Sequence, residues 1–206
     1  MKSIESLVLT AVVAALFSAR VAASGPASRA VDLNAHCLPG GSGFDVDDAG
    51  LAILLTGSPA AEGIVDFRGQ AGGALTFEAR PLSPGRPPYG YSFVGAEVAA
   101  RVVRQGEGFI LEGRAGKRPF ALSLERVGAQ GYQIVGRDGT RLKAWITPSS
   151  VRVQGGYDPE RMSREGLSIL GAALSLMFSD GGPAARAAAG GLPPNVMFDG
   201  ITVQAK

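Results

Sequence analysis

Apolar and polar positions alternate along most of this chain in short runs. From Phe44 onward they predict strands at regular spacing, beginning with "FDVDDAGLAILL", which reads as two runs about a turn at Asp47-Asp48-Ala49-Gly50. In "ALTFEAR", Leu75, Phe77 and Ala79 alternate with Thr76, Glu78 and Arg80, the mark of a strand with one buried face. Phe120, Leu122 and Leu124 repeat the pattern in "FALSLER". Asp138-Gly139, between "YQIVGR" and "TRLKAWI", is the strongest hairpin signal in the chain. The four prolines of residues 81–90 exclude a central strand and predict one long loop. Before all this, residues 24–43 are polar, hold Gly and Pro, and read as a flexible lead-in.

The period changes once. In "SREGLSILGAALSLMFSDGG" (163–182) every position from Gly166 to Phe178 is apolar or small, apart from the hydroxyls of Ser168 and Ser175. Those hydroxyls can bond back to the preceding turn. Asp158 is placed as N-cap, Pro159 suits the first helical position, and Asp180-Gly181-Gly182-Pro183 stops the run, which predicts a helix over 158–179. Its apolar stretch spans roughly 20 Å, short of the ~30 Å hydrocarbon core of a bilayer. A helix apolar on all sides belongs in a core, and the only other material is strands. The expectation is therefore a mostly β fold, an antiparallel barrel or strongly curled sandwich of about 9–12 strands around one hydrophobic helix, occupying residues 44–182. Gly166, Gly171, Ser168 and Ser175 would thin the helix where strands pass closest. Residues 183–206 read as a linker and a C-terminal strand or tail, with "NVMFDGITVQ" (195–204) as its apolar part.

Composition adds a compartment. Lys2, an apolar run from Leu7 to Phe17 and the small residues Val21-Ala22-Ala23 form a signal-peptide pattern over residues 1–23. Cleavage would leave 18 basic and 17 acidic residues of the 20 and 18 in the full chain. That balance argues against nucleic acid as a partner. Arg-, Ala- and Gly-rich usage points to a GC-rich bacterial genome, and export then means the periplasm or the exterior. Cys37 is the only cysteine, so no internal disulfide forms.

Candidate chemistry is sparse. His36 is the only histidine, and in extended chain it points away from its neighbour Cys37, so neither serves the other as base. One His and one Cys make no zinc or copper site, and "DVDDAGLAILLT" fails as a calcium loop at Ala49 and Thr56. Asp66 and Glu78, on consecutive strands, are the one carboxylate pair worth testing as a hydrolase without histidine. The chain is therefore read as a non-enzyme, with no catalytic residue, no metal and no cofactor. "GRAGKRP" (113–119) places Arg114, Lys117 and Arg118 on one hairpin tip, a candidate site for a lipid phosphate or an anionic surface.

"YQIVGRDGTRLKAWI" and "GGYDPERMSREGLSILGAALSLMF" resemble the strand–turn–strand unit and the step into the central helix of the tubby-like fold, shared by tubby, LURP-one-related and phospholipid scramblase proteins. The resemblance covers residues 44–179 and implies a barrel around a late helix, with lipid contact as its function. It supplies no catalytic residue. The export signal departs from the family's mostly intracellular members, and here 27 residues follow the helix. Two functions follow as expectations: an exported non-enzymatic module contacting lipid headgroups or an envelope surface, or an interaction domain docking on an envelope protein through residues 192–206.

Overall fold

The computed structural model describes residues 28–38, 42–83, 90–106, 108–128, 130–147 and 149–178. The signal-peptide pattern, most of the long loop and the C-terminal tail lie outside them. The strands are β1 (Arg29–Cys37), β2 (Phe44–Asp48), β3 (Ile53–Pro59), β4 (Val65–Ala71), β5 (Ala74–Pro81) and β6 (Gly90–Val94). They continue as β7 (Val98–Gln105), β8 (Gly108–Ala115), β9 (Arg118–Arg126), β10 (Gly131–Gly136), β11 (Arg141–Ile146) and β12 (Ser150–Tyr157), and a helix α1 (Arg164–Phe178) follows. Each strand pairs antiparallel with the next, and β1 pairs with β12, so the twelve close into a barrel.

The alternation decides what faces in. Val31, Leu33, Phe67, Phe77, Leu111, Leu122, Ile134 and Val153 point inward and are buried. Arg68, Glu78, Arg101, Glu112, Lys143 and Arg152 fall on the opposite phase, on the outer wall. A membrane-spanning barrel has the reverse arrangement, with an apolar band outside. Inside lies α1, buried at every position from Gly166 to Phe178. Protein, not lipid, surrounds this helix. Ser168 Oγ donates to Arg164 O at 2.9 Å and Ser175 Oγ to Ala172 O at 2.9 Å, so both hydroxyls are satisfied within the helix. No helix among the described residues is long and apolar enough to cross a membrane.

Gly171 sits at a tight approach of helix and wall: a Cβ there would lie 2.5 Å from Val46 Cγ1 and 2.8 Å from Leu33 Cδ2. Gly166 differs from expectation, because a Cβ there would meet its nearest neighbours at an ordinary 3.5 to 3.6 Å. A second glycine makes room among the strands. Gly57 pairs with both Phe44 and Phe67, and its missing side chain lets those rings approach to 6.3 Å. Phe77 and Phe93 continue the row at 5.1 and 6.0 Å.

Two boundaries differ from the sequence reading. Residues 29–37 are not part of a flexible lead-in. They form β1, the strand that closes the barrel, with Val31, Leu33 and Ala35 buried. Asp32 lies on the outer side of this seam, where Arg152 donates Nε and Nη2 to its two oxygens at 2.9 Å each and Gln154 adds a third bond. The Arg152 bond holds the Asp32 carboxyl below the usual carboxylate range. The helix also starts later than Asp158. Asp158 closes a separate turn, accepting from Glu160 N at 2.8 Å, and Ser163 Oγ caps α1 by accepting from Gly166 N at 3.2 Å. Arg161 ties that turn to the β10–β11 hairpin through the Asp138 carbonyl.

Asp48, 3% exposed, carries the link between β1 and the β2–β3 turn. Its two oxygens accept from Asp32 N at 2.8 Å and Leu51 N at 3.1 Å. Asp48→Ala leaves two backbone donors without partners, and a cost of about 2 kcal/mol is expected in urea denaturation. Asp48→Asn keeps one acceptor oxygen and should recover part of it. Equal stability of all three proteins would show that the bonds do not matter.

Candidate functional site

The chain's hairpins alternate between the two mouths of the barrel. At one mouth lie the start of β1, the β4–β5 and β8–β9 turns, the end of β12 and the start of α1, and they surround an open recess of about 450 Å³. Four cations line it: Arg29, Lys117, Arg118 and Arg164. Their positions follow from strand phase. Arg29 is in step with Val31 and Leu33, and Arg118 with Phe120 and Leu122, so each stands on the inward phase just beyond the last buried residue. Lys117 is at the tip of the β8–β9 turn, where the preceding Gly116 has the left-handed φ of 61° that a tight turn needs. Arg164 opens α1 and lies over Gly72 of the β4–β5 turn.

The recess divides the three predicted residues. Lys117 and Arg118 line it. Arg114 does not, because one strand position off phase puts it on the outer wall of β8, opposite Ala99 and Pro119. Arg118 also has a structural task, donating Nη1 to the carbonyl of Pro159 and so fixing the turn before the helix. Sequence reasoning missed Arg29 and Arg164, which are 135 positions apart in number and meet only when the barrel closes.

Among the described residues, no carboxylate stands within ion-pair distance of Arg29, Lys117 or Arg164. Glu165 is the one acid lining the recess. Three cations without a carboxylate partner among the described residues, gathered at a concave mouth, make a local positive potential in a chain that is close to neutral overall.

The other candidates are separated from one another or placed on the convex wall. His36 points out of β1 while Cys37 packs toward the core, so the two do face opposite ways. Asp66 and Glu78 are directly opposed across β4 and β5, on the outer wall, and Glu78 is engaged by Arg80 at 2.5 Å. A convex wall gives a sugar ring nothing to enclose it. Burial pushes the Tyr91 and Tyr132 hydroxyls up, so both remain neutral phenols. The aspartates of the β2–β3 turn are separated by strand phase, with Asp48 spent on backbone donors. No group of three or more His, Cys, Asp or Glu among the described residues could hold a metal.

Comparison with protein-family models, with curated proteins and with solved structures gives no match.

Proposed function

We propose that this protein is an exported, non-enzymatic β-barrel module that works in the periplasm or outside the cell, holding the anionic headgroups of a lipid or envelope surface at its basic mouth. The observation that carries this reading is the convergence of Arg29, Lys117 and Arg164, from three separate elements, on one recess with no carboxylate partner among the described residues. A cation left unpaired at a concave surface is a place for an external anion, and the guanidinium fork suits phosphate oxygens. The signal-peptide pattern supports export, and the resemblance to the tubby-like fold supports lipid as the anion's carrier.

Cosedimentation with vesicles tests it. The protein should pellet with phosphatidylglycerol-containing vesicles and stay in solution with phosphatidylcholine alone. Reversing Arg29, Lys117 and Arg164 to Glu should weaken pelleting by roughly a hundredfold or more, given about a fivefold effect per cation lost at an anionic surface. Arg118 is left in place because it holds Pro159. Undiminished pelleting of the triple variant would remove the recess from the function.

A further inference from the structure

A second cationic surface stands on the outer wall, away from the recess. The outward residues of β10 to β12 include Gln133, Val135, Arg141, Lys143, Trp145, Arg152 and Gln154, and none of these is acidic. The flanking strands bring two acids, Asp32, which Arg152 already engages, and Glu125, opposite Gln133. Arg141 and Lys143 have no carboxylate within ion-pair distance among the described residues.

Beside these cations the wall exposes large apolar groups. Trp145 is 45% exposed, and it shares a corner with Val127, 59% exposed, because Val127 N donates to the carbonyl of Gly131, the residue paired with Trp145. Val135 adds a third apolar side chain farther along β10. An indole with one polar edge, next to aliphatic groups and two unpaired cations, matches the boundary between acyl chains and anionic headgroups.

We propose that the β10–β12 wall is the face by which the barrel lies on an anionic bilayer, with Trp145 and Val127 entering the interface and Arg141 and Lys143 meeting lipid phosphates. This rests on the lipid reading above and adds the orientation: the barrel lies on its side, and the recess opens along the bilayer surface. The two charges favour an anionic partner, and the apolar corner favours a lipid interface over a nucleic acid or an acidic protein.

Trp145 is the only tryptophan in the chain, so the full-length protein carries its own reporter. With phosphatidylglycerol vesicles its emission should move to shorter wavelength and be quenched by lipids brominated on the acyl chains. Arg141→Glu with Lys143→Glu should abolish both signals and weaken pelleting by roughly thirtyfold or more, each cation lost contributing about fivefold. Arg68→Glu, exposed on β4 across the barrel from this wall, should change neither. Pelleting with unchanged, unquenched emission would overturn this face while leaving the recess reading intact. No pelleting at all would overturn both. An emission change with a single-stranded oligonucleotide but not with vesicles would overturn the lipid partner in favour of a nucleic acid.

Discussion

Deleting residues 158–182 is expected to leave an insoluble chain with no protease-resistant core. An eight-stranded barrel is about as wide as its own inward side chains can fill. This barrel has twelve strands, and α1 occupies the difference. Without the helix, the inward faces of the strands would border a wide void or water, and the aromatic contacts of Phe178 with Phe109 and Tyr132 would be lost, at ring separations of 5.4 and 5.0 Å. No rearrangement of side chains fills a space of that width, and the sheet cannot narrow without changing its strand count or stagger. Cell fractionation with limited proteolysis reads the result. A soluble deletion variant with the parent's protease-resistant β fragment would show that the helix is dispensable to closure.

Gly171→Val should be strongly destabilising. The first added carbon would already fall within 2.5 Å of Val46 Cγ1 and 2.8 Å of Leu33 Cδ2, and both neighbours are fully buried. The branched side chain adds two more carbons at the same crossing. Overpacking at well-filled sites costs typically 1–3 kcal/mol, and a loss of about 3 kcal/mol or more is expected here from chemical denaturation. Gly171→Ala is a finer test, because alanine gains about 1 kcal/mol of helix propensity over glycine while meeting the same two contacts. A net loss is expected, since Val46 is β-branched and held in its strand by pairing on both sides. Combining Gly171→Ala with Val46→Ala should be less harmful than the sum of the two. An alanine variant more stable than the parent, with additive pairing, would show that helix and wall have slack at this point.

Much of the architecture was legible because the two periods are so different. Thirteen apolar or small positions in succession allow one interpretation once length excludes a membrane crossing, and strands such as Ala74–Pro81 carry their inner face in plain alternation. β1 was missed although Val31, Leu33 and Ala35 alternate with Asp32, Asn34 and His36 as cleanly as any later strand. Its neighbours on both sides are rich in Gly, Pro and Ser, and its stability comes from β2 and β12, one of them far along the chain. The helix cap was misplaced because Asp158-Pro159-Glu160 satisfies the rules for a helix start, yet Asp158 uses its carboxylate to close a turn of its own. For the candidate site, the hairpin tip announced Lys117 and Arg118 as a local cluster. Arg114 belonged to that cluster only in sequence, since strand phase turns it outward. Arg29 and Arg164 had no local signal, because their proximity is a product of closure.

The pairing of β1 with β12 also sets an order of events. Asp32 and Arg152 are separated by 120 positions, so the first strand of the barrel to be made waits for the last before its second edge is covered. The intervening hairpins can form locally and early, each from neighbours a few residues apart, which leaves closure to join the two edges of a sheet already assembled. α1 follows β12 in the chain, yet it must be inside when the seam closes. One late event at the seam is therefore expected to set the rate of folding, and until it occurs the β1 edge at Val31 and Leu33 is open to pairing with another unfinished copy.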